Sequence, residues 1–250
     1  VEKSACPGAG ACGGQFTANT MAMVLTGLGL SPMGLNDIAA TDPEKRKAAF
    51  YCGERVMQCL ADDLKPRDVL TRDAFINAAR MVAATAGSTN AVLHLLAIAH
   101  DAGIELGLED FDQAARDTPV IADLKPGGRY TAVELTEAGG TALVARELHA
   151  AGMLADAPTV TGRSLFDEIA RARPAASGQQ VVKPVSDALK PRGGYSILYG
   201  NIAPEGCVLK LAGHGRTHHE GPARVFDSEE QAFAAVQSDR IKAGDVLVIR

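Results

Sequence analysis

"CPGAGACGGQFTANTM", residues 6–21, spells G-x-G-x-x-G from Gly8 to Gly13 with Cys12 lodged inside it. Two folds compete for these residues. A dinucleotide fingerprint needs a buried strand directly before the glycines, so that a pyrophosphate meets the helix N-terminus, and an acid closing a second strand about 20 residues on. "VEKSACP", residues 1–7, is polar and ends in proline, and Asp37, in "GLSPMGLND", follows no strand pattern. The nucleotide-binding reading therefore lacks its context.

Read as a loop that presents a thiolate, the stretch is self-consistent. Glycines on both sides of Cys12 let the backbone turn tightly and approach a bulky group, and a helix beginning near Thr17 aims its N–H groups at the loop. Such a setting suits a ligand to a metal or an Fe–S cluster, or a nucleophile. The plainer alternative, a small cysteine packed in a glycine turn, stays open at this point. Cys6 carries less weight, because Pro7 follows it and its spacing to Cys12 is not that of a C-x-x-C clamp.

Working outward, apolar residues at mixed three- and four-residue spacings predict a helix from about Thr17 to Leu28. Asp42-Pro43-Glu44 reads as N-cap, N1 proline and early acid for a helix through "KRKAAFYCGERVMQCLADD", with Cys52 and Cys59 on its inner face. Thr71 caps "TRDAFINAARMVAATAG", Gly87 stops it and Ser88 opens "STNAVLHLLAIAHDAG", which is apolar nearly all round and suits a helix buried between layers. "LEDFDQAARDT" and "TAVELTEAGGTALVARELHAAGML" add two or three helices, and "PVIADL" and "PTVTG" read as short strands.

The pattern changes near Ala175. "ARPAASGQQVVKPVSDALKPRGG" holds three prolines and three glycines, as a linker would. Beyond it the period is two: "GYSILYGNIAP", "GCVLKLAGH", "GPARVFD" and "GDVLVIR" are glycine-punctuated β-rich runs, with one helix, "SEEQAFAAVQSD", capped by Ser228. The expected organisation is a helix-rich α/β domain over residues 1–174, a linker over 175–192 and the opening of a β-rich domain over 193–250. Val1 is not an initiator methionine and "GDVLVIR" stops without a turn, so an internal piece of a longer protein is expected.

A composition of 46% hydrophobic residues is ample for a core, and a formal charge of −5 argues against a nucleic acid or an anionic membrane as partner. No apolar run approaches the roughly 20 residues a membrane span needs, which points to the cytoplasm, or to an organelle after loss of a transit peptide. The five cysteines, Cys6, Cys12, Cys52, Cys59 and Cys207, are odd in number and read as reduced thiols.

The remaining candidates have ordinary explanations. Ser88, Thr89 and Asn90 stand at a helix start, where such residues act as caps. His94 and His100 lie off the i, i+4 spacing of a metal pair. His214, His218, His219 and Glu220 make a divalent-ion site on paper, but sit in a polar, glycine-flanked loop that reads as solvated surface. Cys207 and Lys210 fall on opposite faces of one strand and make no dyad there.

"CPGAGACGGQFTANTM", "GSTNAVLHLLAIAHDAGI", "ADLKPGGRY", "TVTG", "GNIAPEGCVLKLAG" and "GPARVFDSEE…IKAGDVLVIR", in that order, resemble the dihydroxy-acid dehydratase family, which includes sugar-acid dehydratases. The resemblance covers essentially the whole chain. It implies an α/β N-terminal domain carrying an Fe–S cluster, [2Fe–2S] or [4Fe–4S], and a β-barrel-like C-terminal domain that closes the site. It also implies a hydro-lyase that converts 2,3-dihydroxy carboxylates to 2-oxo acids: a base takes the C2 proton, the C3 hydroxyl leaves, and the enol tautomerises. In that chemistry the cluster is a Lewis acid for the departing hydroxyl and Mg²⁺ grips the carboxylate end.

Residue by residue, the family's G-x-C-G-G/S-x-x-T-A-N motif falls on Gly10 to Asn19, and its third cluster cysteine is Cys12. By the same resemblance, the other two cysteines, Mg²⁺-binding acids and a modified lysine precede Val1, while another Mg²⁺-binding glutamate and the serine base follow Arg250. The resemblance thus leaves this stretch inactive alone and its parent a homodimeric dehydratase of branched-chain amino-acid biosynthesis. The alternatives are a sugar-acid dehydratase of the same family and, in another class, a non-catalytic nucleotide- or thiol-binding module.

Overall fold

The computed structural model describes residues 12–211 and 218–250, which fall in two compact units, Val1–Gly213 and His214–Arg250. The first unit is helix-rich. Its helices are α1 (Thr17–Gly27), α2 (Glu44–Ala61), α3 (Pro66–Val69), α4 (Arg72–Ala84), α5 (Asn90–Ala102), α6 (Leu108–Asp117), α7 (Ala132–Ala138), α8 (Gly140–Ala150) and α9 (Leu165–Arg171). They precede an antiparallel hairpin of β1 (Tyr195–Leu198) and β2 (Cys207–Lys210), in which Tyr195 lies opposite Lys210.

Local chemistry sets the helix starts. Thr71 accepts the Ala74 N–H at 3.2 Å to open α4, Asp42 accepts that of Glu44 at 2.9 Å ahead of α2, and the Thr131 hydroxyl and the Glu134 carboxylate form a capping box on α7. Gly139 and Gly140, both at positive φ, break the "AGGTA" run into α7 and α8.

Helix α4 is the hub. Nine of its thirteen residues are buried, and its two sides face different clusters. Phe75, Ala78, Ala79 and Val82 pack with Val24, Leu28, Leu95, Phe111 and Tyr195, while Met81 and Ala84 join Ile121, Leu143, Val144, Leu148 and Ile169. Gly27 lets α1 and α4 touch: a Cβ there would stand 3.1 Å from the Ala78 Cα. Asn77, fully buried, exchanges two hydrogen bonds with the backbone of Ala155, which satisfies its amide inside the core.

In the second unit, β3 (Ala223–Phe226) and β4 (Val246–Ile249) pair in parallel through α10 (Glu229–Gln237), which Ser228 caps. Among the described residues the sheets are small and no closed barrel forms.

Three sequence expectations change. "PVIADL" and "PTVTG" form isolated bridges, Val120 to Lys190, Ala122 to Val182, Leu124 to Tyr130 and Pro158 to Ser164, rather than strands, because successive residues do not pair along one continuous neighbour. Helix α5 is not buried all round: Val92, Leu95 and Ala99 are inside, but Leu93 is 66% exposed. On α2, Cys52 is exposed and Cys59 half-buried, so they do not form an inner apolar face. Among the described residues, no helix is long and apolar enough to cross a membrane.

Candidate functional site

The loop that carries Cys12 is fastened from three directions. Asn19, in the first turn of α1, reaches back to donate from Nδ2 to the Cys12 carbonyl at 2.8 Å and the Gly14 carbonyl at 2.6 Å. The Gln15 N–H donates to the Lys125 carbonyl at 2.7 Å, and the Gly13 carbonyl accepts from the Ala132 N–H at 3.1 Å, so the loop lies on the "LKPGGRYTA" segment. Gly14 permits that approach: a Cβ there would stand 2.8 Å from the Lys125 oxygen.

From the other side comes the turn before α5. The Thr20 hydroxyl donates to the Gln15 carbonyl at 3.2 Å and accepts the Ser88 N–H at 3.0 Å; Gly87 leaves room for it, since a Cβ there would press on the Thr20 side chain at 2.9 Å. The Thr17 and Ser88 hydroxyls lie 3.1 Å apart, and the Asn90 amide donates to Thr17 at 2.8 Å. Lys210 completes the group from β2, donating to the Ala86 and Gly87 carbonyls at 3.0 and 2.9 Å. Burial pushes its ammonium pKa below the ordinary lysine value.

Cys12 itself is exposed, with a free thiol on this fixed backbone. A thiolate so presented is a suitable iron ligand. Among the described residues, no group of three or more His, Cys, Asp or Glu could hold a metal ion. Cys12 therefore fits as one ligand and not as part of a cage complete within these residues.

The other candidates are dispersed. Cys52 and Cys207 are exposed, and the Cys59 thiol donates to the Val160 carbonyl at 3.5 Å. Ser88 acts as expected of a cap, accepting the Asn90 N–H at 3.2 Å. His94 is half-buried and His100 exposed. His218, His219 and Glu220 are exposed, with the His219 ring 3.1 Å from the Gly244 carbonyl, while Cys6 and His214 lie outside the described residues. Asp37, the acid a nucleotide site would have needed, serves the start of α8: its carboxylate accepts from the Thr141 N–H at 2.7 Å and hydroxyl at 2.5 Å. Burial holds its pKa above the ordinary value, against the downward pull of Thr141, Arg173 and Lys45.

In the sequence, Asn19 stood only as the last residue of the motif and Lys210 only as a residue that makes no dyad with Cys207; neither was expected to brace this loop and turn. Asn19 had a local signal, a short amide at the third position of a helix that follows a glycine loop. Lys210 had a weaker one, a cation inside the apolar run "CVLKLAG".

Residues 1–168 match the family model for the dihydroxy-acid/6-phosphogluconate dehydratase N-terminal domain, and residues 180–250 match the model for its C-terminal domain. The chain belongs to this family. Its similar relatives include proteins named dihydroxy-acid dehydratase from Thermus thermophilus, 59% identical over 100% of this chain and 45% of that protein. Others are from Koribacter versatilis, 53% identical over 100% of this chain and 44% of that protein, and Roseiflexus sp., 52% identical over 100% and 45%. The chain spans about half the length of the curated relatives it matches. Within the family, the segments that meet at Cys12 are those that carried the sequence resemblance.

Asn19 provides a direct test of how the loop is held. In the whole protein, Asn19→Ala removes both hydrogen bonds to the Cys12 loop, and support of this kind around a metal ligand is worth about 10–100-fold in metal retention. On the proposal that Cys12 is a cluster ligand, cluster loss to a chelator, followed by visible absorbance, is expected to accelerate within that range. Asn19→Asp should be worse, because a carboxylate would face two carbonyl oxygens. Loss at the wild-type rate in both variants would show that the loop holds itself.

Proposed function

We propose that this chain is the cluster-presenting part of a hydro-lyase that converts a 2,3-dihydroxy carboxylate, such as 2,3-dihydroxyisovalerate, to a 2-oxo acid and water. The observation that carries the reading is the exposed Cys12 thiol on a loop fixed by Asn19, Lys125 and Ala132. The relatives' shared name supports the substrate class. When bound, an Fe–S cluster supplies Lewis acidity toward a departing hydroxyl, and Mg²⁺ charge for the carboxylate end.

This chain's own part is to present the Cys12 sulfur and to fix the polar turn around Thr17, Ser88 and Asn90. The other cluster cysteines, the Mg²⁺ ligands and the serine base belong to parts of the protein outside this chain. The product class suits a cytoplasmic step of valine and isoleucine biosynthesis.

The whole protein, reconstituted with iron and sulfide and supplied with Mg²⁺, is expected to form 2-oxo acid from 2,3-dihydroxyisovalerate, and residues 1–250 alone to give none above background. A whole protein that turned over a pentonate but not dihydroxyisovalerate would move the reading to the sugar-acid branch. Turnover by residues 1–250 alone would refute the division of labour.

A further inference from the structure

Lys210 ends β2 inside an apolar run, half-buried, and its ammonium serves two successive backbone carbonyls, those of Ala86 and Gly87, rather than a carboxylate. Burying a cation is unfavourable, so the partners have to repay it. These carbonyls belong to the turn that ends α4, whose own last turn carries no basic residue. The ammonium therefore meets the negative end of the hub helix. The turn is also strained, since Ala86 has φ 46°, in the left-handed region that residues with a Cβ disfavour. A cation on both carbonyls favours that conformation over a relaxed one.

The Gly87 carbonyl shares its peptide unit with the Ser88 N–H. That N–H donates to the Thr20 hydroxyl oxygen at 3.0 Å, and the hydroxyl donates in turn to the Gln15 carbonyl at 3.2 Å. Thr20 and Gln15 are each 1% exposed, so water does not compete for these groups. Every donor in the series points the same way: ammonium to carbonyl, amide to hydroxyl, hydroxyl to carbonyl. In that arrangement each bond polarises the next. The series ends at Gln15, three positions past Cys12, whose own N–H is tied to the Lys125 carbonyl. Lys210 lies in the stretch matched to the family's C-terminal domain, whereas Gln15, Thr20 and Ser88 lie in the stretch matched to its N-terminal domain.

We propose that Lys210 is a positioning residue for the Cys12 loop, acting through the Gly87–Ser88 peptide and the Thr20 hydroxyl. Its effect on the loop stands by itself; its effect on a cluster rests on the reading of Cys12 as a ligand.

The test is a double-mutant cycle in the whole protein, with two readouts. In metal-free protein, hydrogen exchange at the Gln15 amide is compared with that at Leu148, which is buried in the other core cluster. Lys210→Met and Thr20→Val should each accelerate Gln15 about 10-fold relative to Leu148. The double variant should stay near 10-fold, because the second change cuts a series already cut, whereas independent stabilising effects multiply to about 100-fold. If Lys210→Met does not fold, Lys210→Gln, which keeps a donor for one carbonyl, takes its place in the cycle. In reconstituted protein, cluster loss to a chelator should accelerate about 10-fold in both single variants, and Lys210→Arg, whose fork can serve both carbonyls, should return it toward the wild-type rate. A protein that takes up no iron refutes the cluster reading and leaves the exchange cycle to decide the role of Lys210. Unchanged Gln15 exchange in a folded Lys210→Met, a double variant at the product of the single effects, or a Lys210→Arg no better than Lys210→Met overturns the proposal.

Discussion

Cys12→Ser in the whole protein is expected to abolish the brown absorbance of the reconstituted cluster and to lower 2-oxo acid formation by at least about 10³-fold. The first effect follows from replacing a thiolate, the ligand type that holds Fe–S clusters, by a hydroxyl that does not deprotonate at neutral pH. The second follows from losing a Lewis acid worth several kcal/mol of charge stabilisation, at about 1.4 kcal/mol per tenfold in rate. Cys59→Ser and Cys207→Ser are the controls. The Cys59 thiol is directed at the Val160 carbonyl and Cys207 opens a strand, so both variants should keep the spectrum. Unchanged absorbance in Cys12→Ser removes Cys12 from the ligand set.

What was legible in the sequence was what short-range chemistry decides. Thr71, Ser228 and Asp42 marked helix starts because a side-chain oxygen there meets a backbone N–H two or three residues on. The loop that exposes Cys12 was legible because its glycines and the following helix lie within one motif. The misjudged elements depend on distant partners. "PVIADL" has the composition of a strand, but Val120 and Ala122 each find one bridge partner, some 60 to 70 residues on. For α2 the expected inner face held only in part: Cys59 turns to the Val160 carbonyl, 101 residues on, while Cys52 stays exposed. Lys210 was opaque for the same reason, since it binds carbonyls 123 and 124 residues earlier.

Lys210 reaches that turn only because its hairpin is anchored in the core, and Tyr195 is the anchor. Tyr195 is fully buried among Phe75, Val82 and Phe111, and its hydroxyl donates to the Ala79 carbonyl at 3.3 Å. Burial, with a smaller contribution from Asp112, drives the phenol pKa far above its ordinary value, so it stays a neutral donor. Just before it, the Gly194 N–H donates to the Ala83 carbonyl at 3.1 Å, and a Cβ on Gly194 would stand 2.3 Å from the Ala86 Cα. Tyr195→Ala is therefore expected to cost about 3–5 kcal/mol, the range for deleting a buried aromatic ring. Tyr195→Phe should cost about 1 kcal/mol, one neutral hydrogen bond. Denaturant unfolding of the whole protein reads the difference, and hydrogen exchange at the Gly194 and Leu211 amides shows whether the hairpin loosens first. If main-chain hydrogen bonds alone held the hairpin, the two variants would be alike. A gap of several kcal/mol between them, with faster cluster loss in Tyr195→Ala, ties the order of the Cys12 site to the packing of one ring.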